Sequence, residues 1–471
     1  MNALADKSTD ATVPVLDPGA DASTGTTARP REPDELTVTE ALELAVRYHR
    51  ADQLDVAESV YRRVLEVVPE QPDAQHFLGV LLHRRGKDVE ALDFLQRAIG
   101  LQPDHAGFHN NLGNVLFEME RFADAARAYE RCAELTPEDP GVYNNLGVVH
   151  RAQGQPDAAA DAYRRAIEID PRHADAYHNM GNLLIAQGRV KEAVTCLCTS
   201  ITLRPPHPET RRLLGFAYAN LGRLDEAADV YRNWLEEEPD DPIARHMLAA
   251  CGGDGVPVRA SERFVELVFD TFAQSFDAKL EMLHYHAPQL VVEELARIQT
   301  SPRRSLIALD AGCGTGLCAP LVAPFVARLT GVDLSAQMLA RARRRGGYDE
   351  LVQGELTEYL RAHVAEFDLI ISADTLCYFG ALATTLEAAQ RALRDGGVLI
   401  FTVEHADEEL VGEVGYRLNP HGRYSHGEDY LRRSMSAAGL DVLSMTRAVL
   451  RMESGSEVIG LLVSGRKPAE H

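Results

Sequence analysis

The stretch LDAGCGTGLCAP, residues 309–320, decides how the second half of the chain is read. It follows an apolar run at 307–309 and places Gly312, Gly314 and Gly316 at alternate positions. Glycines spaced this way after a strand let the backbone approach a ligand closely. A dinucleotide loop, Gly-x-Gly-x-x-Gly, needs its third glycine at 317, where Leu317 stands. A nucleoside-triphosphate loop needs a Gly-Lys-Ser/Thr triplet, and this stretch has no lysine. Downstream, LTGVDLS ends a second apolar run at Asp333, 21 residues after Gly312. A carboxylate at a strand end accepts two hydrogen bonds from a ribose diol. Asp333 suits any nucleoside; the glycine spacing is what discriminates.

Alternating apolar and helical patterns surround this loop. Candidate strands are 305–309, 327–333, 351–353, 367–373, 397–404, 440–450 and 457–464, with helices between them. That alternation predicts a parallel sheet covered on both faces. The loop with its preceding acid, Asp310, resembles motif I of the class I S-adenosylmethionine-dependent methyltransferases. VQGELTEYL, FDLIISADTLCYFG and LRDGGVLIFTVEH continue the resemblance in order over roughly 301–466. It implies S-adenosyl-L-methionine as cofactor. It implies that Asp310, Gly312, Gly314, Gly316, Asp333 and Leu334 surround the cofactor. Glu355 then accepts from the adenine amino group, and Leu356 offers its backbone N–H to the ring. The lead segment FDTFAQSFDAKLEMLHY resembles the pre-domain helix of small-substrate methyltransferases and places Tyr285 near the sulfonium. Two helical stretches are expected there, 260–268 and 271–298. Phe269, Phe272 and Phe276 share one helix face, which suits core packing or cofactor contact.

The first half is a repeat. Prolines at 69, 103, 137, 171, 205 and 239 are 34 residues apart. Glycines at 79, 113, 147, 181 and 215 keep the period, as do alanines at 57, 91, 125, 159, 193 and 227; Ala45 takes the glycine position in the first unit. Thirty-four residues is the period of the tetratricopeptide repeat, two antiparallel helices per unit. Small residues let the paired helices touch, proline ends the second helix, and Tyr61, Tyr129, Tyr163 and Tyr231 are expected to fill space between repeats. Such units stack into a superhelix with a concave groove that takes a peptide.

Asn111, Asn145 and Asn179 recur at one repeat position, with Phe77 and Leu213 there in units two and six. They resemble the asparagine ladder of the O-linked N-acetylglucosamine transferase repeats, which implies a grip on peptide backbone. They also fit a purely structural solenoid. Asn110, Asn144 and His178 stand where a carboxylate-clamp type needs lysine, which argues against that type.

The net charge of −23 disfavours general nucleic-acid binding. The run Arg341, Arg343, Arg344 and Arg345 reads as a solvated helix end. Seven cysteines lack paired Cys-x-x-Cys spacing, so no metal site is expected and a reducing compartment follows. No membrane-spanning apolar stretch and no signal-peptide core are present, so a cytoplasmic protein is expected.

The expected architecture is multidomain: an all-α tetratricopeptide superhelix followed by an α/β Rossmann-like class I methyltransferase domain. The divisions are a disordered tail at 1–36, six repeats at 37–240, a capping helix and glycine-rich hinge at 241–258, lead helices at 259–300 and the methyltransferase domain at 301–467. Methyl transfer from a sulfonium needs alignment and exclusion of water, with a base only for a protonated acceptor. Tyr378, His405 and Asp374 are the expected catalytic residues. Glu404, His421, Tyr424 and His426 are further candidates, the last three in a substrate lid. The acceptor is a protein, delivered by the repeats, or a small molecule. A non-catalytic scaffold is the remaining alternative.

Overall fold

The computed structural model describes residues 11–15, 34–204, 208–252, 255–273, 276–299, 303–453 and 456–469. The chain divides into two compact units, residues 1–183 and 184–471.

In the first unit, β1 (Thr12–Val15) pairs antiparallel with β2 (Asp34–Thr37). Both fall in or beside the segment expected to be a tail. Val13 explains the order, because it is buried in the core of the first two repeats. Residues 1–10 and 16–33 lie outside the described residues. Thr37 then starts the first helix with a capping box: its hydroxyl accepts from the Glu40 N–H at 3.3 Å, and its own N–H donates to Glu40 at 2.9 Å.

The helix pairs follow the period. They are Val38–Arg50 with Leu54–Val67, Pro72–Arg84 with Asp88–Leu101, Ala106–Glu118 with Phe122–Leu135, and Pro140–Ala152 with Pro156–Ile169. Pro69, Pro103, Pro137 and Pro171 each stand two residues past a second helix. The glycine has a packing reason. A methyl group at Gly113 or Gly147 would overlap the ring of Tyr129 or Tyr163. Each ring belongs to the second helix of the same repeat. The tyrosines therefore fill the space within a repeat, where the periodicity alone suggested the space between repeats.

The second unit holds Val190–Leu203, the sixth pair Pro208–Asn220 and Leu224–Glu237, and the cap Pro242–Ala250. The expected hinge is docked along its described residues. Tyr424 Oη donates to Pro257 O at 2.6 Å, and Val258 O accepts from the N–H groups of Gly380 and Ala381 at 2.9 and 2.8 Å. The cap is fixed too: His246 Nε2 lies 2.8 Å from Gly422 O, and its ring stacks on Phe264 at 4.0 Å.

Three lead helices follow, Glu262–Phe272, Phe276–Met282 and Ala287–Ile298. The long helix expected over 271–298 breaks near Pro288, which stands in the first turn of the third helix. The sheet contains β3 (Leu306–Ala311), β4 (Val326–Asp333), β5 (Glu350–Gln353), β6 (Phe367–Ser372), β7 (Leu393–His405), β8 (Tyr416–Leu418), β9 (Tyr424–His426), β10 (Asp441–Glu453) and β11 (Ser456–Arg466). Its order is β10-β11-β7-β6-β3-β4-β5. Strands β3 to β7 run parallel where they pair, and β11 joins β7 and β10 antiparallel. The segment expected as a lid instead contains β9, which pairs with β7.

Both sheet faces are buried. Leu369 and Ile371 enter one core, and Ile370 between them enters the other. The chain order reverses between β3 and β6. Ligands of open α/β sheets bind at such a switch point, outside the carboxyl ends of the strands. The glycine loop leaves β3 there, beside the segment that leaves β6.

Candidate active site

A cavity of about 430 Å³ opens at this switch point. That volume is in the range of small-ligand sites. The loop after β3 forms one wall. Gly312 has φ +81°, and a side chain on it would run into Thr375. Gly314 has φ +54°, and a Cβ there would meet no atom within 4 Å. The loop backbone therefore faces open space, which is what a close-fitting ligand requires.

Asp333, at the end of β4, locks this loop. Its Oδ2 accepts from the Gly314 N–H at 2.8 Å, and its Oδ1 from the Ser335 N–H at 2.9 Å. Each oxygen keeps a second lone-pair direction for a hydroxyl. Burial raises the Asp333 carboxyl, against the pull of these N–H groups. Asp310 is also buried and takes a 2.7 Å bond from Tyr348 Oη. Burial, with the nearby Asp333 charge, pushes it up to about 7. Leu334 and Leu356 line the same cavity.

Glu355 lines the cavity and already has partners. It caps the helix Leu356–Ala362 by accepting from the Glu358 N–H at 2.8 Å. Its other oxygen accepts from Arg259 at 2.8 Å.

The lead helices form the opposite wall. Phe269, Phe272 and Phe276 all line the cavity, as does Tyr285. Two aspartates beside these rings tie the helices down. Asp270 accepts from Ser335 Oγ at 2.5 Å. Asp277 accepts from Thr315 Oγ1 at 2.5 Å and from Arg345 at 2.6 Å. The sequence signal for them was present as two Phe-Asp pairs seven residues apart; they fall on two separate helices, so Phe276 does not share the helix face of Phe269 and Phe272 that the spacing suggested. Arg345 is thus a tether rather than a solvated helix end.

Of the expected catalytic residues, Asp374 and Tyr378 line the cavity and His405 does not. Successive residues on β7 point to opposite faces. Glu404 turns toward Arg423 and Arg451, whereas His405 Nε2 lies 4.0 Å from Asp407. His421 reaches the cavity. Tyr424 and His426 are buried structural groups, with His426 Nε2 3.0 Å from Gly380 O.

Asp374, Glu404 and His421 were expected candidates; Arg423, Arg451 and Glu453, which tie them into an ionic cluster at the cavity, were not. Arg451, on β10, donates to Asp374 at 2.7 Å, to Glu453 at 3.3 Å and to Glu404. Arg423 donates to Glu404 at 2.6 Å and to Glu453 at 2.5 Å. Burial alone would raise Glu404, but Arg423, His421 and Arg451 bring it down to about 2. Burial and Arg423 push His421 down to about 4, so it is neutral near pH 7. Asp374 has φ +58°, and its Oδ1 is buried without a partner. No short motif announces this cluster, because its members lie on separate strands and loops.

The three repeated asparagines lie in the first unit. Asn145 donates to Asn110 at 3.2 Å, and Asn179 to Asn144 at 2.9 Å. The Asn111 amide nitrogen lies 2.8 Å from His76 Nε2. Each amide thus bonds to the preceding repeat, a structural use of the ladder. A primary amide nitrogen carries two N–H groups, so one remains beyond each of these contacts.

Among the described residues, no helix is long and apolar enough to cross a membrane. A doubly wound sheet with a glycine loop at its switch point and an acid closing the next strand defines a Rossmann-like methyltransferase fold behind helical repeats. Comparison with known proteins agrees. Residues 309–401 match the model of the methyltransferase domain. Residues 42–106, 110–174, 150–199 and 208–251 match tetratricopeptide-repeat models. The chain therefore carries tetratricopeptide repeats followed by a methyltransferase domain.

Three curated relatives illustrate the likeness. The malonyl-[acyl-carrier protein] O-methyltransferase of Enterobacter lignolyticus is 40% identical over 105 residues, 22% of this chain and 41% of that protein. The ubiquinone biosynthesis O-methyltransferase of Thiobacillus denitrificans is 29% identical over 183 residues, 34% of this chain and 78% of that protein. Methyltransferase-like protein 27 of Homo sapiens is 40% identical over 84 residues, 18% of this chain and 34% of that protein. The chain spans about two fifths of the length of the first of these and a third of the last.

Proposed function

We propose that this chain is an S-adenosyl-L-methionine-dependent methyltransferase whose repeats bind a protein or peptide partner. The observation that carries the reading is the Gly314 backbone, open to the cavity and held by Asp333. Gly312, Gly314 and Gly316 cradle the amino-acid part of the cofactor. Asp333 receives the ribose hydroxyls, and Asp310, which accepts from Tyr348, stands at the start of the loop. Leu334, Leu356 and Glu355 border the adenine. Phe269, Phe272, Phe276 and Tyr285 cover the cavity and exclude water. When bound, the cofactor supplies an electrophilic methyl group. The chain's part is to align an acceptor with it beside Asp374 and Tyr378, since alignment is the larger share of catalysis in such a displacement. Burial raises the Tyr378 phenol, which keeps it a hydrogen-bond donor.

The domain limits we propose are repeats over 37–240, a docked cap and connector over 241–258, lead helices over 259–300 and the methyltransferase domain over 301–467. Asn111, Asn145 and Asn179 contribute their remaining N–H groups to a bound peptide backbone. A small-molecule acceptor is the second reading. The aromatic rings that line the cavity favour it, as do the relatives named as O-methyltransferases of biosynthetic substrates. Tritiated-methyl transfer from S-adenosyl-L-methionine into cell extract, separated into protein and small-molecule fractions, distinguishes the two. Label confined to small molecules contradicts the protein-acceptor reading.

A further inference from the structure

Five cationic side chains line the cavity, and all are engaged. Arg423 and Arg451 bind Glu404, Glu453 and Asp374. Arg259 pairs with Glu355 and Glu262, and Arg212 pairs with Glu209. Lys279 sits 3.9 Å from the Phe272 ring centroid and has a further partner. At the Asp374 end, Arg423 and Arg451 pair with Asp374 and Glu453 in the lining and with Glu404, which is buried outside it, so the cluster as a whole carries a net charge of −1. The Asp374 Oδ1 there is an unused hydrogen-bond acceptor.

A carboxylate entering this end would have to break an existing ion pair or stay uncompensated beside a negative wall. Either course is costly in a desolvated site. A group that brings its own proton meets the unused acceptor, Asp374 Oδ1, instead. We infer that the cavity selects a methyl acceptor whose nucleophile is an amine or a hydroxyl, over a carboxylate. The inference rests on the cofactor reading above. In the transfer, the acceptor lone pair forms the new bond to the methyl carbon. The carbon–sulfur bond breaks, with its electron pair staying on a neutral thioether. The acceptor's N–H or O–H proton passes to the Asp374 carboxylate, whose Oδ1 has no other partner among the described residues.

The test needs no known acceptor. Calorimetry on the full chain compares S-adenosylhomocysteine with sinefungin, whose primary ammonium stands where the transferable methyl would be. A negative wall predicts sinefungin binding about tenfold tighter or more at low salt. Glu453→Gln should cut that preference several-fold and leave S-adenosylhomocysteine affinity unchanged. Asp374→Asn reads the same loss if Glu453→Gln fails to fold. Equal affinities, or a preference that survives both substitutions, overturn the inference and leave the cofactor reading intact. Binding of neither ligand overturns both. A second arm treats label transferred in extract with mild alkali. Amines and ethers keep the label; release as volatile methanol marks a methyl ester and overturns the inference.

Discussion

The Asp333 carboxylate accepts the Gly314 N–H at 2.8 Å, which joins the end of β4 to the loop after β3. One contact thus couples the residue we propose for a ribose to the glycine whose backbone is open to the cavity. Gly314→Phe should fill the space that the loop leaves open and force a side chain onto a positive φ. We expect S-adenosyl-L-methionine binding to be lost with helical circular dichroism unchanged. Retained affinity in a folded variant would place the cofactor elsewhere.

The repeat glycines make a prediction of opposite signs. In a helix interior, alanine is favoured over glycine by about 1 kcal/mol. Overpacking against a fixed ring costs about 1–3 kcal/mol. Gly147→Ala meets the Tyr163 ring and should lower the melting temperature. Gly100 is also helical but faces open space, so Gly100→Ala should hold or raise it. Thermal melts followed by circular dichroism compare the two. Equal effects would contradict the packing account.

Buried Arg451 pairs with buried Glu404 and with the half-buried Asp374 and Glu453. Arg451→Met leaves Glu404 and Glu453 to Arg423 and takes away the cation paired with Asp374. Removing one partner of a buried pair costs about 3–5 kcal/mol. A clear fall in the denaturant midpoint of the full chain is the expected outcome. An unchanged midpoint would mean that the cluster contributes little.

Asp310 gives a pH dependence. Its folded-state carboxyl is pushed up to about 7 by burial, so between its unfolded value near 4 and about 7 the folded state binds the proton more tightly. Its contribution therefore favours folding as pH falls through that window and is lost as pH rises through about 7. Asp310→Asn removes the dependence. The melting temperature of the wild type should drop more between pH 5 and pH 8 than that of the variant. Parallel pH profiles would contradict this assignment.

Local spacing made much of the chain legible. A 34-residue period is visible without knowing what touches what, and the glycine loop carries its own geometry. Other features depend on distant partners. Arg451 and Arg423 are ordinary arginines until strand pairing brings β7 and β10 to one cavity. His405 was misplaced by a single position, because one step along a strand changes the face. The asparagine register was visible, but its bonds run to the preceding repeat at an offset of 35 residues, which a 34-residue period does not suggest. The hinge read as loose from its glycines, and backbone contacts with 378–381 hold it in place.

We propose that the loop at 312–316 takes S-adenosyl-L-methionine and not a dinucleotide. Calorimetry of the full chain with each ligand decides between them. Saturable binding of S-adenosyl-L-methionine at one site per chain and no heat with NAD are expected. Binding of NAD in preference to S-adenosyl-L-methionine, or heat with neither, would contradict it.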